Sequence, residues 1–429
     1  MSDNRYYVNF APTAGLWTLA GRALLPCHFQ PKLYLKQEQS NMRRFSLAVL
    51  LAVVPALSAC GGGQLSGGGN QPPPPPPPPA SPPAFVYISN TAANTLTGLN
   101  IAGGKPAQLG TSLPNPGGNA PLGLVATGRL LYVANSGSGT ISGFSFNAST
   151  GALQTLPGSP YLAAAGVSQL ALCPGNSGPT PPRFLYAVTN TAVLGYNLTN
   201  TGQLTPLPGS PFGAGSQPAA VLTDAGCNFV FIANKGSNNI SVFSVNSSSG
   251  LLTPVPGSPF AAGSAPVALA MGDDFLFAAN SGSNNISVYT INRGNGSGGG
   301  FLTQVAGSPS SAGASPSALV YLSPTLYVAN SASNDVSVLT VALNTGRLTP
   351  VTGSPFLAGT NPMAMISLSP PANNVAQQQF LYVANAGSNN LSGFTIGANG
   401  TLTVVQGFPF PAGTNPRALV FACGVCGYP

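Results

Sequence analysis

Apolar and polar residues alternate in short runs from residue 85 to residue 422, and the runs are separated by Gly, Pro, Ser and Asn. The clearest run has an aromatic residue, small or aliphatic residues and a final Asn. It recurs at FVYISN (85–90), LLYVAN (130–135), FLYAVTN (184–190), FVFIAN (229–234), FLFAAN (275–280), TLYVAN (325–330) and FLYVAN (380–385). A period of two residues between turn residues is typical of β-strands. The pattern predicts an all-β domain over residues 85–429.

The same order of elements follows most of these runs. A turn such as SGSNN comes first, then an alternating strand such as ISVFSV (240–245), then a Gly-x-Leu-Thr-Pro segment and a GSPF loop. A short apolar strand after a proline ends the unit, as in AAVL (219–222). The aromatic positions of successive units lie 45 to 55 residues apart. Seven units with four short strands at this period predict a seven-bladed β-propeller of antiparallel blades.

The phase of the repeat predicts how the ring closes. The first unit begins on a second strand, FVYISN, whereas the chain ends on a first strand, RALVFA (417–422). We therefore expect the C-terminal strand to complete the N-terminal blade. The unit around Tyr186 lacks the SNN turn, and it counts as a blade because its closing strands are intact.

An export signal precedes the repeats. The basic MRR (42–44) and an apolar run (45–57) lead to LSAC (57–60), which is the order of charge, apolar residues and small residues found in secretory signal peptides. We interpret residues 42–59 as the signal peptide and residues 1–41 as a start-site artefact. The alternative for the apolar run is a buried helix, but nothing amphipathic surrounds it.

A tether joins this signal to the repeats. Residues 60–84 are rich in Gly and contain eight consecutive prolines, Pro72–Pro79. Proline fixes φ and removes an N–H donor, so this part favours an extended polyproline II conformation. A Pro-rich ligand for a partner domain is the alternative.

The LSAC ending resembles a bacterial lipobox. This resemblance implies cleavage before Cys60, lipidation of Cys60 and attachment to a membrane through the N-terminal lipid. Because Gly61 rather than Asp follows the cysteine, it also implies an extracytoplasmic lipoprotein of the bacterial outer membrane or cell surface.

Composition excludes several other classes of protein. Charged residues make up only 4% of the chain, which is far too few for a helical bundle or a charge-rich disordered tail. After Cys60 there are seven basic and four acidic residues, a net charge of +3. Such sparse charge does not form the dense basic stripe of a nucleic-acid-binding protein, so we expect no nucleic-acid partner. We also expect the protein to be a monomer.

The recurring YVAN core, the SNN turn and the Gly-x-Leu-Thr-Pro segment resemble the YVTN-type and lactonase-type seven-bladed propellers. The resemblance covers residues 85–422. Since the family is named for a sugar-lactone hydrolase, a 6-phosphogluconolactonase, the resemblance implies that activity as one alternative.

The chemistry needed for lactone hydrolysis is poorly represented. The reaction needs a general base or a metal-bound water, together with a group that stabilises the oxyanion. After Cys60 the sequence contains no His and no Glu, and we expect only Lys235, Asp335 and Arg417 as charges on the usual binding face. Asp335 with Arg417 is a weak catalytic candidate, and no metal or cofactor site is predicted. We therefore interpret the domain as a non-enzymatic scaffold that binds a carbohydrate or a protein, with the lactone hydrolase as the alternative.

The asparagines that end the second strands have a structural and a functional interpretation. They either cap the turns that follow or form a polar ring around a central channel, and capping is favoured. They are Asn90, Asn135, Asn190, Asn234, Asn280, Asn330 and Asn385.

Four cysteines after Cys60 are disulfide candidates, because an exported protein meets an oxidising environment. Cys173 and Cys227 follow first strands in consecutive units, which makes a bridge between them plausible. Cys423 and Cys426 form a C-terminal CGVC, which we interpret as a local clip beside the closing strand, although a Cys173–Cys423 type of pairing stays open.

Overall fold

The computed structural model describes residues 83–110, 113–114, 117–173, 183–294, 299–368 and 378–423. These residues belong to one compact unit, residues 76–429. The start-site segment, the signal peptide, Cys60 and nearly all of the tether lie outside the described residues, as does Cys426. No helix in the described part of the chain is long and apolar enough to cross a membrane.

Within the described residues there are 35 β-strands, grouped in seven antiparallel sheets. Each sheet is one blade, and its first strand is innermost, because the first strands of neighbouring blades contact one another around the ring. The innermost strands are β5 (Pro121–Thr127), β10 (Gln169–Cys173), β15 (Pro218–Thr223), β20 (Pro266–Gly272), β25 (Pro316–Leu322), β30 (Pro362–Leu368) and β35 (Pro416–Cys423). The second strands are β1 (Ala84–Asn90), β6 (Leu130–Asn135), β11 (Phe184–Val188), β16 (Phe229–Asn234), β21 (Phe275–Asn280), β26 (Thr325–Asn330) and β31 (Gln379–Asn385).

The outer half of each blade has a third strand, a fourth strand and a two-residue fifth strand. The third strands are β2 (Thr95–Ala102), β7 (Thr140–Phe146), β12 (Ala192–Leu198), β17 (Asn239–Val245), β22 (Asn285–Asn292), β27 (Asp335–Val341) and β32 (Asn390–Ile396). The fourth strands are β3 (Lys105–Gln108), β8 (Leu153–Thr155), β13 (Leu204–Pro206), β18 (Leu252–Pro254), β23 (Phe301–Gln304), β28 (Leu348–Pro350) and β33 (Leu402–Val404). The fifth are β4 (Leu113–Pro114), β9 (Tyr161–Leu162), β14 (Phe212–Gly213), β19 (Phe260–Ala261), β24 (Ser310–Ser311), β29 (Phe356–Leu357) and β34 (Phe410–Pro411).

The fifth strand was not predicted, and its origin lies in the GSP loop. The fourth and fifth strands both pair with the third strand, so together they form one interrupted edge. At the interruption in the blade of β25–β29, the Ser354 hydroxyl accepts the backbone N–H of Val338 at 2.8 Å. Ser258 accepts the N–H of Val242 at 2.9 Å in the same way. The side chain therefore replaces the missing backbone partner and lets the chain turn.

Ring closure occurs as the phase of the repeat predicted. Strand β35 pairs with β1 in antiparallel register, with Ala84 opposite Cys423 and Tyr87 opposite Val420. Blade 1 thus consists of β35 and β1–β4, and blades 2 to 7 follow in chain order from β5 to β34. The backbone N–H of Ala418 also donates to the Ser89 hydroxyl at 3.0 Å. The two ends of the domain are therefore held together by an antiparallel ladder of seven paired positions, with one shift of register between Ser89 and Asn90.

Apolar side chains are buried between adjacent blades. Between blades 4 and 5, for example, Phe231 and Val242 pack with Leu276 and Tyr289, and all four are almost inaccessible to solvent. Seven such clusters follow the ring. Each blade alone would expose two apolar faces, so burial of these faces requires both neighbours.

A tyrosine hydroxyl links most neighbouring blades. Tyr382 in blade 7 donates to the Gly104 carbonyl of blade 1 at 2.7 Å, and Tyr186 in blade 3 donates to the Gly250 carbonyl of blade 4 at 2.7 Å. Equivalent bonds are made by Tyr87 to Gly151, Tyr132 to Gly202 and Tyr327 to Gly400. Burial raises the pKa of Tyr382 well above its ordinary value of 10.0 and that of Tyr327 to about 12. The hydroxyls therefore remain donors at neutral pH.

The blades have two ends, which form the two faces of the ring. The hairpins between first and second strands and between third and fourth strands lie at one end, which we call the base. The hairpins between second and third strands, and the loops that lead into the innermost strands, lie at the other end, which we call the upper face. Ala84, opposite Ile101 and Cys423, places the start of β1 at the base.

Candidate functional site

A cavity of about 770 Å³ lies at the centre of the upper face. One residue from each blade reaches it from the upper end of the innermost strand, which in six blades is the residue directly after the proline. These seven residues, which we call the inner ring, are Leu122, Gln169, Ala219, Val267, Ser317, Met363 and Arg417. The repeat therefore supplies seven equivalent positions, and the sequence varies the side chain at each.

Polar residues of the neighbouring loops complete the lining. Asn190, Lys235, Ser281 and Ser331 follow second strands, and Gln217 precedes an innermost strand. The Ser281 and Ser331 hydroxyls donate to backbone carbonyls at 2.9 Å in each case, so their positions are fixed. The lining is thus rich in hydroxyl and amide groups, which suits a ligand with many hydroxyls.

Arg417 is the only charged member of the inner ring. It is half-buried, and its Nε atom is buried with no hydrogen-bond partner among the described residues. A buried guanidinium donor without a partner is energetically costly unless a ligand or water accepts from it. Arg417 therefore brings the one guanidinium group of the inner ring to the cavity wall.

Lys235 is the second cation of the lining. It is exposed and belongs to blade 4, whereas Arg417 belongs to blade 1. Blades 1 and 4 are three steps apart in a ring of seven, so the two cations lie on opposite sides of the cavity. Each cation can therefore contact a different end of a ligand.

The structure does not bring Asp335 and Arg417 together. Asp335 does not line the cavity; it begins β27, is 7% exposed, and accepts the Asn330 Nδ2–H at 2.7 Å. Asn285 and Asn390 occupy the same position in other blades and accept equivalent bonds. Asp335 thus has the same turn-stabilising role as these asparagines.

The asparagines that end the second strands act mainly as turn caps. Asn330 donates from Nδ2 to Asp335 and, at 2.9 Å, to the Ser337 hydroxyl, and it is fully buried. Blade 3 departs from this pattern. Thr189 is buried at the capping position and accepts the Ala192 N–H at 3.1 Å, whereas Asn190 is exposed and lines the cavity. Asn190 was therefore wrongly assigned to the capping set.

No carboxylate, imidazole or thiol belongs to the described lining of the cavity. Asp224, Asp273 and Asp274 all lie in hairpins at the base. Within the described ranges, no three side chains of His, Cys, Asp or Glu gather as a metal site would require. Among the described lining residues, the groups available for chemistry are two cations, hydroxyls and amides.

The structure contains a disulfide between Cys173 and Cys227, whose Cα atoms are 5.2 Å apart. It joins the base ends of blades 3 and 4, and the two cysteines are buried. The disulfide closes a loop with a sequence separation of 54 residues. It lies away from the cavity and stabilises the packing of two adjacent blades.

The fold and the central cavity define a seven-bladed β-propeller with a small-molecule-sized site at its upper face. The family described as "Lactonase, 7-bladed beta-propeller" matches residues 186–310 and 297–423, which together exceed half of the chain. The chain belongs to this lactonase family. The sequence matches no curated protein.

Solved structures share the fold at low sequence identity. A candidate 6-phosphogluconolactonase from Bacteroides fragilis superposes with a TM-score of 0.66 at 18% identity, covering 81% of this chain and 99% of that chain. The periplasmic gluconolactonase of Pseudomonas aeruginosa gives a TM-score of 0.62 at 17% identity, covering 80% of this chain and 100% of that chain. These likenesses extend over the whole ring and identify its architecture.

Proposed function

We propose that the protein is a sugar-lactone hydrolase and that the central cavity is its active site. Membership of the lactonase family supports the reaction class. The cavity volume of about 770 Å³ falls in the range of small-molecule sites, and its hydroxyl and amide lining suits a sugar. The observation that carries the proposal is the position of Arg417, the one charged side chain of the inner ring, at the wall of this cavity.

Arg417 is assigned to the carbonyl end of the lactone. Hydrolysis adds a water oxygen to the carbonyl carbon, and the ring C–O bond then breaks to give a carboxylic acid and a hydroxyl group. Negative charge develops on the carbonyl oxygen in the transition state, and a guanidinium donor at that oxygen stabilises the charge. Arg417 supplies such a donor. The product carboxylate also favours a cation, so product affinity is expected to depend on the same residue.

The proton-accepting groups that line the cavity differ from those of a site with a carboxylate base. With no carboxylate or imidazole in the described lining, the attacking water loses its proton to solvent as the leaving ring oxygen gains one. Electrostatic stabilisation is therefore the main contribution. Removal of one oxyanion donor typically costs about 10²–10³-fold in rate, which is the loss we assign to Arg417.

Binding without turnover is the second candidate function. The observation that favours it is the same absence of a carboxylate or imidazole among the described lining residues. In that case the cavity holds a sugar acid or a related polyhydroxylated anion, with Arg417 and Lys235 at opposite ends. The ring then acts as a binding module.

The decisive experiment measures lactone opening by the purified full chain against the spontaneous rate, using gluconolactone with a pH-stat. We expect acceleration that falls at least 100-fold in Arg417→Gln and is unchanged in Arg347→Gln, which removes an equal charge at the base. Saturable binding of gluconate by calorimetry without acceleration would establish the binding module instead. Absence of both would overturn the assignment of the cavity.

A further inference from the structure

Exposed cations are concentrated on the base, at the opposite end from the cavity. Five blades each place one exposed cation in a base hairpin or at its edge. They are Lys105 (blade 1), Arg129 (blade 2), Arg183 (blade 3), Arg293 (blade 5) and Arg347 (blade 6). The described part of the upper face has one exposed cation, Lys235, because Arg417 is half-buried.

Three carboxylates of the base offset part of this charge, so its five cations and three aspartates leave a net charge of +2. Asp224 is 3% exposed and accepts the backbone N–H groups of Asn228 and Phe229 at 2.7 and 2.6 Å. Asp273 accepts hydroxyl donors from Tyr321 and, at 3.0 Å, from Ser323. Both carboxylates are thus committed to hairpin structure and to the contact between blades 5 and 6.

One base cation has an acidic partner in the described structure. Arg293 lies with its Nε 3.6 Å from an Asp274 carboxylate oxygen, and both side chains are exposed. Arg183 makes a 3.4 Å hydrogen bond to the Ser247 carbonyl and lies 5.7 Å from the Phe184 ring centroid, so its charge is not neutralised. Lys105, Arg129 and Arg347 form no side-chain ion pair with any described residue. Four cations of the base therefore have no ion-pair partner among the described residues.

The chain enters the ring on this same face. Ala84, the first residue of β1, is paired at the base end of blade 1. Any anchor that precedes Ala84 is therefore attached to the base, and the sequence predicts a lipidated Cys60 24 residues earlier. A strand of seven residues spans about 23 Å, which exceeds the screening length of about 8 Å at physiological salt. The charges of the upper face therefore act almost independently of those of the base.

We infer that the base docks on an anionic lipid surface, with Lys105, Arg129, Arg183 and Arg347 contacting headgroup phosphates. The cations are distributed one per blade around a broad ring, which matches a plane of phosphates better than the narrow double row of a nucleic acid. A lipid chain combined with a basic patch gives more stable membrane attachment than one lipid chain alone. The docked orientation turns the cavity away from the membrane. This inference does not depend on the reaction in the cavity.

The test measures partition of the full chain carrying Cys60→Ser, which removes the predicted lipid site, onto vesicles. The vesicles contain phosphatidylcholine alone or phosphatidylcholine with phosphatidylglycerol, at 150 mM salt. Two double variants remove equal charge from opposite faces: Arg129→Gln/Arg347→Gln from the base and Lys235→Gln/Arg417→Gln from the upper face. A basic side chain near an anionic surface changes partition about fivefold. We therefore expect the partition coefficient on anionic vesicles to fall about 25-fold for the double variant of the base and less than about twofold for the double variant of the upper face.

Each other outcome contradicts the inference. Equal losses in the two double variants would mean that net charge alone drives binding. If the Arg129→Gln/Arg347→Gln variant partitions onto anionic vesicles as strongly as the parent, other parts of the chain make the contact. If the Arg129→Gln/Arg347→Gln variant loses affinity for a short DNA duplex but not for anionic vesicles, the partner of the base is a nucleic acid and not a lipid surface. Lactone turnover of the base variant should equal that of the parent, which separates this test from that of the cavity.

Discussion

Replacement of Tyr382 by Phe removes one hydroxyl at the junction where the last blade meets the first. This hydroxyl donates to the Gly104 carbonyl at 2.7 Å, across 278 residues of sequence. Phe231 and Phe277 occupy the equivalent position in blades 4 and 5, so the ring tolerates a phenyl group there. The substitution is therefore expected to fold and to report on one interblade bond.

The expected cost follows from burial. Tyr382 is 1% exposed and Gly104 is buried, so the carbonyl loses its partner where water does not readily replace it. A typical hydrogen bond contributes about 0.5–1.5 kcal/mol, and an unsatisfied buried acceptor costs about 1–3 kcal/mol. We expect the free energy of unfolding to fall by about 1–3 kcal/mol.

Guanidinium denaturation gives this free energy, and Tyr186→Phe is the matched control. The Tyr186 hydroxyl makes a bond of the same length, also to a glycine carbonyl, but between blades that are consecutive in sequence. The two variants should lose similar stability in a two-state transition. Hydrogen exchange should accelerate in β1 and β35 for Tyr382→Phe alone, because only that bond lies at the closure.

One result would refute this reasoning. If Tyr382→Phe is neutral while Tyr186→Phe is destabilising, then blades 7 and 1 are not in contact in solution. The ring would then be open or would have a different number of blades.

Three more outcomes are expected. Gly313→Ala should cost about 1–3 kcal/mol in denaturant unfolding, because its Cβ would lie 2.5 Å from the Asn330 amide and displace a buried hydrogen-bonded group. Gly213→Ala, whose Cβ would meet nothing within 4 Å, is the control and should be nearly neutral. Reduction of Cys173–Cys227 should cost up to about 4 kcal/mol for its loop of 54 residues, measured by melting with and without reductant; an unchanged melt would contradict this. The contribution of the buried tyrosines to stability should be constant below pH 10 and fall above it, because their folded-state pKa values are raised above 10.0 while unfolded tyrosines ionise near pH 10. A pH-denaturation series that stays level to pH 12 would contradict that assignment.

Blade number and ring closure were predictable because each blade repeats one pattern. RALVFA is a first strand with no second strand after it, and FVYISN is a second strand with no first strand before it, so the two were expected to pair. The error at Asn190 had a readable signal. Counting three residues from the buried aromatic reaches the capping Asn in other blades but reaches Thr189 in blade 3. The Asn at the end of FLYAVTN lies one residue beyond this spacing, so the cap was predicted one residue too late.

The cavity could be predicted only in part. The sequence placed Lys235 and Arg417 on the upper face, but only the closed ring shows that the residues next to the prolines converge on one cavity. Asp335 was singled out for its charge, although its position in the repeat is that of Asn285 and marks it as a turn residue. The tyrosine links were not predicted, because their acceptors are backbone carbonyls in another blade. All five acceptors are glycines, but only the closed ring shows which glycine lies opposite which tyrosine.

The closure of β1 by β35 has a consequence for biosynthesis. Blade 1 lacks its innermost strand until the ribosome has added the last residues of the domain, from Pro416 onward. No earlier nascent chain can complete the circle, and pairing over such a sequence distance is slow because a long loop must close first. A prematurely terminated product would keep an unpaired edge on β1, which proteases and chaperones can recognise.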